Sequence, residues 1–324
     1  MTPEETPAFF MNYDQSILII DANNISLRAA HGSPDLRDRE GYPTAVMMTT
    51  VRSIVIAAEI IRPARIVCVW DGGHSKFRKK LFPGYKDRGD LDPESEKGRL
   101  LEDWKWQREQ MIEIFPTLGI GQIRIEGVEA DDAIYKMVGE FSAADIPTVI
   151  VSTDADFMQM VNENFCAVYN PAKHEVYETN DDVLQRFGVS VRQFVDYRAI
   201  IGDKSDKIDG VPKVGEKTAV KIIAQFLRLN EFYRQATPEF LESKEAKPYH
   251  RALVEHRETV ERNKKLIWLG ALPADEIPAD EFAGQLDEAI SCVPDHNAFW
   301  QFCMKHQLMK LLETRPSWGL LCRG

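Results

Sequence analysis

Cysteine, histidine and long hydrophobic runs are all scarce in this sequence, and each absence narrows the class of protein. The five cysteines are odd in number and form no Cys-X-X-Cys pair, which argues against a disulfide framework and a zinc site. The longest apolar run, residues 54–61, contains Glu59 and is far shorter than the roughly 20 residues of a membrane span. No basic stretch precedes an apolar region near the N-terminus, so no secretory signal is indicated. We therefore expect a cytoplasmic protein with reduced thiols and no membrane contact.

Acidic residues, by contrast, are abundant. The 324 residues include 51 Asp and Glu against 40 Lys and Arg, a net charge of −11, which argues against a general polyanion binder. Hydrophobic residues make up 44% of the chain, enough for one large domain or two smaller ones. The seven histidines show no His-X-His or His-Glu-X-X-His spacing, so a metal site is expected to use oxygen ligands.

Short apolar strands alternate with helical patterns in the first two-thirds of the chain. These segments are residues 16–20, 44–61, 65–70, 100–115, 129–141 and 148–151. Their alternation predicts an α/β domain with a mostly parallel sheet flanked by helices, over residues 1–180. The remainder, residues 181–324, shows helical patterns and no convincing strand, and predicts a helical lobe.

Each predicted strand is followed by an aspartate at its carboxyl end. Because open α/β sheets bind ligands beyond these ends, we expect the carboxylates to converge in one crevice. With the acids at nearby helix starts and in the loop near residue 203, the candidates are Asp21, Asp71, Glu129, Asp131, Asp132, Asp154, Asp156, Asp203 and Asp206. Any one of them could cap a helix or occupy a turn. Together they would repel one another without a cation, which favours a hard divalent ion such as Mg²⁺.

Six motifs resemble the 5′→3′ exonuclease and flap endonuclease family, most of all its phage members, one of which is called ribonuclease H because it removes RNA primers. The motifs follow the family's order and spacing over most of the chain. They are Ile19-Ile20-Asp21-Ala22-Asn23, Val69-Trp70-Asp71-Gly72, Phe77-Arg78 with Tyr85-Lys86, Gly127-Val128-Glu129-Ala130-Asp131-Asp132, Ser152-Thr153-Asp154-Ala155-Asp156 and Ile201-Gly202-Asp203-Lys204-Ser205-Asp206.

The resemblance implies a PIN-like fold with two Mg²⁺ ions, for which Mn²⁺ can substitute. The implied ligands of the first ion are Asp21, Asp71, Glu129, Asp131 and Asp132. Asp154 and Asp156 would lie at or between both ions, and Asp203 and Asp206 would serve the second. Two ions about 3.5–4 Å apart form the usual clamp for phosphodiester hydrolysis.

The resemblance also implies a helical arch at about residues 76–110. Residues 76–108 contain ten Lys and Arg against seven Asp and Glu, a basic patch inside an acidic chain. Arg78 and Lys86 match family positions that neutralise the scissile phosphate and are the candidate catalytic residues. Arg28 is expected to assist on the DNA, and Tyr85 offers a ring on which an unpaired base could stack.

A helix–three-turn–helix DNA clamp is implied at about residues 198–228. Its hairpin would grip a duplex phosphate with backbone amides and the following helix N-terminus, and with it the family's K⁺ site is expected. The candidate DNA contacts are Gly210, Val211, Lys213, Val214, Gly215, Lys217, Thr218 and Lys221. Lys207 replaces a common Asn and Lys213 a usual Gly, and Lys213 therefore predicts an altered turn.

We interpret the chain as a divalent-metal-dependent, structure-specific 5′ nuclease of DNA replication or repair that also removes RNA primers. The alternatives are a catalytically inactive DNA-binding replication accessory protein and a PIN-like single-strand RNase. Expected substrates are DNA with a 5′ flap, a nick or an RNA–DNA primer duplex. A single-strand-binding protein or sliding clamp is the candidate protein partner of an expected monomer, in a bacterial or phage-infected host cytoplasm.

Overall fold

The computed structural model describes residues 11–32, 35–87, 89 and 92–308. Its main sheet has the strand order β3-β2-β1-β4-β5-β6, with β1 to β5 parallel and β6 antiparallel at one edge. The strands are β1 (Ile17–Asp21), β2 (Arg65–Val69), β3 (Ile120–Ile123), β4 (Thr148–Val151), β5 (Cys166–Asn170) and β6 (Glu175–Tyr177). A small antiparallel ladder joins β7 (Gly202–Asp203) to β8 (Ile208–Asp209).

Helices cover both faces of the sheet and build the C-terminal part. The α-helices are α1 (Ala22–Gly32), α2 (Ala45–Ile61), α3 (Lys76–Leu81), α4 (Glu96–Ile114), α5 (Ala130–Ala143), α6 (Asn180–Phe187), α7 (Val191–Ile201), α8 (Glu216–Phe226), α9 (Leu229–Gln235), α10 (Pro238–Glu242), α11 (Pro248–Glu255), α12 (Arg257–Ile267), α13 (Ala279–Ile290) and α14 (His296–Lys305). Short 3₁₀ helices occupy Tyr13–Gln15, Phe115–Leu118, Ala155–Met160, Leu269–Ala271 and Ala274–Glu276.

The central strand β1 divides the core in two. Ile17 and Ile19 point to a cluster shared with α5, α7 and α8, whereas Leu18 and Ile20 point to a cluster shared with α1, α2 and α4. All four side chains are buried, as expected for a parallel strand covered on both faces. The predicted α/β class, with its mostly parallel sheet and helical lobe, is confirmed.

The predicted strands and helices are present, with two kinds of difference. Helix α4 begins at Glu96 rather than residue 100, because the Ser95 hydroxyl caps it by accepting from the Gly98 amide at 3.0 Å. The prediction of no strand after residue 181 is wrong, since β7 and β8 pair there. Two residues per strand give no readable alternation.

The last helices return to the sheet. Phe299 and Cys303 of α14 belong to the same buried cluster as Leu18 of β1 and Ile66 of β2. The C-terminal lobe therefore contributes to the core of the sheet, and the division at residue 180 stays a prediction.

Four of the five cysteines lie in the described part of the chain. Cys68, Cys166 and Cys303 are buried and Cys292 is half-buried, all as free thiols; Cys322 lies outside the described residues. Within the part of the chain that the structure describes, no helix has both the length and the apolar character to cross a bilayer.

Candidate active site

A crevice of about 900 Å³ opens at the carboxyl ends of β1, β2 and β4. Because β1 lies between β2 and β4, this is the position at which open α/β sheets bind ligands. The structure brings together there six of the nine candidate carboxylates, namely Asp21, Asp71, Glu129, Asp131, Asp154 and Asp206. The other three, Asp132, Asp156 and Asp203, do not line this crevice.

Polar neighbours fix the carboxylates after β1 and β4. Asp21 accepts hydrogen bonds from the Asn24 amide at 3.2 Å and the Ser152 hydroxyl at 2.8 Å. The same hydroxyl accepts from the Asp154 amide at 3.0 Å. The Asn24 side chain in turn accepts from Thr153, through its amide at 3.0 Å and its hydroxyl at 2.8 Å. The sequence analysis gave no role to Asn24 or Ser152. Both lie within three residues of a strand-end aspartate, and this position could have indicated that they hold its side chain.

Asp71 is held by the start of α5. It accepts from the Ala130 amide at 2.8 Å and from the Asn23 side chain at 2.8 Å. Asn23 is a third residue to which the sequence analysis gave no role. The neighbouring Gly72 is required by close packing, because a Cβ there would lie 1.7 Å from the carbonyl oxygen of Ile125. The motif around Asp71 therefore docks the end of β2 against the segment that leads into α5.

Four of the crevice carboxylates have no basic side chain of the described residues in direct contact. Asp21, Asp71, Asp131 and Asp154 have no Lys, Arg or His nitrogen within 4.0 Å in the described part of the chain. Burial, with repulsion from Asp71 and Asp154, raises the pKa of Asp21 to about 7. Burial and repulsion from Asp154 and Asp21 likewise raise the pKa of Asp131 well above its usual range. We refer to these four residues as the open aspartates.

Arg78 does not face the crevice. Its guanidinium binds both carboxylate oxygens of Asp132, at 2.6 and 2.7 Å, and one oxygen of Glu129 at 3.0 Å. Its Nε donates to the Leu266 carbonyl at 2.9 Å, and the residue is 2% exposed. Arg78 is thus engaged with both carboxylates in this structure, and its role at the scissile phosphate and that of Asp132 as a metal ligand stay predictions. The contacts of Arg78 with Asp132 and Leu266 connect α3 to α5 and to the end of α12.

Tyr85 is also buried, so no face of its ring is open to a base in this structure, and its stacking role stays a prediction. It is 2% exposed, and its hydroxyl donates to Glu129 at 3.1 Å. Lys86, next along the chain, reaches the crevice: its Nζ lies 3.1 Å from Glu129 and 3.9 Å from Asp206. The Lys86 amide donates to the Asp206 carbonyl at 3.0 Å. This hydrogen bond connects the arch segment to the loop between β7 and β8.

Asp156 and Asp203 are bridged by Arg198 of α7. The Arg198 Nε donates to Asp156 at 2.7 Å, and its Nη2 donates to the near oxygen of Asp203. Burial and the adjacent Asp154 nevertheless raise the pKa of Asp156 to about 7. Hydrogen bonds from Ser205 and the Arg198 charge outweigh burial and lower the pKa of Asp203. Arg198, expected in the DNA clamp, is therefore engaged with the carboxylates.

The other residues of the predicted arch and DNA contacts differ in how exposed their side chains are. Trp104 is buried and donates to the Ser26 hydroxyl at 3.0 Å, as expected for a core residue. Lys79 and Arg108 line the crevice from the arch segment. Arg28 is exposed in an adjoining groove of about 690 Å³. Residues 88, 90 and 91 of the predicted arch lie outside the described residues.

The turn before α8 is more deeply packed than predicted. Gly210 lies directly against the Ile201 carbonyl. Val211 and Val214 are buried in the core, and their amides donate to the carbonyls of Ile200 at 2.8 Å and of Val211 at 3.1 Å. The side chains and amides of these two residues are used inside the protein, and their contact with DNA stays a prediction.

Both unusual lysines of this region adopt left-handed backbone conformations, with φ of +60° at Lys207 and +64° at Lys213. The turn thus keeps the positive φ that glycine tolerates best, and the prediction of an altered turn at Lys213 is wrong. The lysine accepts the strain because the buried residues on both sides of it fix the path of the backbone.

The first turns of α8 present positive charge to solvent. Lys213, Lys217 and Lys221 are exposed, and no carboxylate oxygen lies within 4.0 Å of their nitrogens in the described ranges. The N-cap is Gly215, which offers no side chain to the terminal amides, and Thr218 is half-buried one turn later. This face, which we call the α8 lysine face, can attract a phosphate backbone.

The open aspartates suit a hard divalent cation. All four offer oxygen ligands, and burial and repulsion penalise the negative charge of Asp21 and Asp131, which an ion would relieve. No three acidic, histidine or cysteine side chains of the described residues form a ready coordination group, so side chains would rotate as an ion binds. The donor set therefore fits the implied Mg²⁺ in its chemistry.

Comparison with known proteins places this site in a family. Residues 16–188 match the family described as "5'-3' exonuclease, N-terminal resolvase-like domain", and residues 189–283 match "5'-3' exonuclease, C-terminal SAM fold". This chain belongs to the 5′-3′ exonuclease family. It is accordingly a hydrolase of the 5′-3′ exonuclease type, and the resemblance to this family stated from its motifs is confirmed.

Individual relatives support the same assignment. The 5'-3' exonuclease of Aquifex aeolicus (strain VF5) is 30% identical over 212 residues, 65% of this chain and 70% of that protein. The DNA polymerase I of Caldicellulosiruptor bescii is 28% identical over 223 residues, 67% of this chain but 25% of the polymerase. The exonuclease thus spans about a quarter of that second relative. The names of these relatives leave the ribonuclease H expectation a prediction.

Solved structures share the fold. The phage T5 D15 protein co-crystallised with metal ions has a TM-score of 0.70 at 23% identity, covering 85% of this exonuclease and 99% of D15. A D15 flap endonuclease variant in complex with DNA and metal ions gives a TM-score of 0.67. At this identity, the likeness confirms the fold of the exonuclease.

Proposed function

We propose that this protein is a divalent-metal-dependent, structure-specific 5′ nuclease that hydrolyses phosphodiesters near the 5′ end of a strand annealed to a template. The observation that carries the proposal is the cluster of open aspartates at the carboxyl ends of β1, β2 and β4, without a basic partner within 4.0 Å among the described residues. Carboxylates beside a phosphodiester would repel the substrate unless divalent cations bind between them.

When bound, Mg²⁺ or Mn²⁺ ions at the carboxylates would supply activation of the attacking water and neutralisation of the leaving 3′ oxygen. Asp21 and Asp71 are oriented for this by hydrogen bonds from Ser152 and Ala130. Lys86 lines the crevice with its Nζ 3.1 Å from Glu129, and we expect it to receive the scissile phosphate. We expect two ions, with Asp154 near both.

The DNA would lie along the α8 lysine face. Its three exposed lysines are unpaired by carboxylates among the described residues and are free to contact phosphates, which gives binding without sequence readout. The complex of D15 with DNA supports nucleic acid as the substrate class. Removal of RNA primers, a K⁺ ion at the turn before α8, and a single-strand-binding protein or sliding clamp as partner stay predictions.

Cleavage of a 5′-labelled flap substrate in Mg²⁺, Mn²⁺ and EDTA tests the proposal, beside single-stranded and nicked controls. Release of a flap-length product with either metal and none with EDTA is expected. Asp154→Asn should reduce cleavage at least about a hundredfold while duplex binding persists, because one ligand charge is lost. Asp280→Asn, an exposed residue of α13, is the matched control and should cleave normally. Cleavage in EDTA, or binding without cleavage of any substrate, would contradict the proposal.

A further inference from the structure

The carboxylates near the crevice differ in whether the chain itself supplies their counterion. The open aspartates have no basic nitrogen within 4.0 Å among the described residues, whereas Asp156 and Asp203 share the guanidinium of Arg198. The two groups adjoin, because the Asp156 amide donates to Asp154 at 2.8 Å. Asp154 thus lies between the other open aspartates and the Asp156–Asp203 pair, which already binds the guanidinium of Arg198.

Arg198 is well placed to hold this pair. It lies in the last turn of α7, one turn before Asp203, and its side chain is 14% exposed. The planar fork of an arginine can serve two carboxylates at once, which a lysine ammonium at the same Cα reaches less well. Asp156 and Asp203 are themselves 15% and 12% exposed, so water compensates little of their charge.

We propose that Arg198 is the resident cation of the Asp156–Asp203 pair and competes there with a divalent ion. This inference rests on the proposed function and on the ligand set that the family resemblance implies, in which Asp154, Asp156 and Asp203 help to bind metal. A divalent ion at the pair must displace the guanidinium or share the carboxylates with it, whereas an ion at the open aspartates meets no such competitor. The two ions should therefore bind with unequal affinity, and Arg198 sets the difference.

Titration of the full chain with Mn²⁺, followed by calorimetry and by the electron spin resonance of free Mn²⁺, tests the proposal. The wild-type protein should bind one ion tightly and a second at least about tenfold more weakly. Arg198→Met should strengthen the second affinity at least about tenfold and leave the first within about threefold. Arg198→Lys, which keeps one charge but cannot bridge both carboxylates, should fall between. Arg192→Met, an exposed arginine of the same helix, is the matched control and should equal wild type.

Thermal unfolding separates competition from a merely structural role. Without metal, Arg198→Met leaves two poorly hydrated carboxylates unpaired, so its Tm should fall. Saturating Mn²⁺ should raise the Tm of Arg198→Met more than that of wild type, because the ion replaces the missing charge. If Arg198→Met is poorly folded, the Arg198→Lys titration provides the same comparison.

An unchanged or weaker second affinity in Arg198→Met, or a Tm deficit that Mn²⁺ does not reduce, would overturn the role given to Arg198. Two equal sites in the wild-type protein would also overturn it. The proposed function fails differently: wild-type protein would then bind no Mn²⁺ and cleave no flap substrate. Wild-type cleavage with identical titrations of Arg198→Met and Arg192→Met would reject the inference alone.

Discussion

Acidic residues from the same short motifs occupy two different environments in this exonuclease. In Glu129-Ala130-Asp131-Asp132, Asp131 faces the crevice without a basic partner within 4.0 Å among the described residues, while Asp132 next to it is held by both arms of Arg78. In Asp154-Ala155-Asp156, Asp154 is open and Asp156 is paired with Arg198. Adjacent carboxylates of one motif therefore differ in whether a basic side chain of the chain reaches them.

The difference teaches that an acidic motif alone does not identify metal ligands. The open aspartates are poised for an external cation, because burial and mutual repulsion raise the pKa of Asp21 and Asp131. The arginine-held carboxylates already have a cationic partner within the chain. Four predictions test whether paired and unpaired charges behave as differently as this contrast implies.

The largest expected effect concerns Arg78. Replacing it in Arg78→Met leaves Glu129 and Asp132 with less compensation in the interior, so the free energy of unfolding should fall by about 3–5 kcal/mol. Urea denaturation measures it. Lys80→Met, an exposed position of the same helix, should change stability by less than about 0.5 kcal/mol. A loss below about 1 kcal/mol in Arg78→Met would show that the buried pairing contributes little.

The second prediction concerns the pH dependence of stability without metal. Burial and repulsion raise the pKa of Asp21 from 3.8 to about 7, so the folded state holds a proton that the unfolded state releases. Asp156, whose pKa is also raised to about 7, adds to this effect. Together the two groups should lower the free energy of unfolding by about 1–2 kcal/mol as pH rises from 6.5 to 8. The lowered pKa values of His250 and His306 act with opposite sign, mainly below pH 6.5, and offset only part of this decrease.

Urea denaturation in EDTA at several pH values measures the slope. Saturating Mg²⁺ should flatten or reverse it, because the ion stabilises the ionised aspartates. Asp21→Asn should also reduce the slope. A stability that rises with pH over this interval in EDTA would contradict the raised pKa values of Asp21 and Asp156.

The third prediction concerns an unpaired lysine on the α8 lysine face. Lys217→Ala should weaken binding to nicked duplex several-fold, equally across sequences, and reduce the slope of log Kd against log salt by about 1. Fluorescence anisotropy at several salt concentrations measures both quantities. Lys173→Ala, at an exposed position near the β5–β6 edge of the sheet, serves as the control. A sequence-dependent loss would count against phosphate contact.

The smallest expected effect concerns the backbone of Lys213. Because its φ is +64°, Lys213→Gly should relieve left-handed strain, offset in part by the greater freedom of glycine when unfolded. A gain of about 0.5 kcal/mol in unfolding free energy is expected by urea denaturation, together with weaker DNA binding. Loss of stability would show that the lysine side chain contributes contacts that compensate for the strain.

Much of the fold and the family could be predicted from the sequence. Strands ending at Asp21, Asp71 and Asp154 are readable because a buried parallel strand is a short apolar run, and the topology of such sheets gathers its carboxyl ends. The motifs also indicated the family correctly. The short strands β7 and β8 were not readable, since two residues carry no periodicity.

The partners of each charged residue were decided only by the tertiary structure. Nothing local distinguishes Asp131 from Asp132, or Asp154 from Asp156; they differ because α3 carries Arg78 to one and α7 carries Arg198 to another. Tyr85 reads as an exposed aromatic in a polar stretch, yet packing against Glu129 buries it. The sequence by itself determined the strand ends and their carboxylates, because periodicity and motif order are local. Which of those carboxylates remain open depends on contacts between distant segments, because electrostatic compensation acts through space.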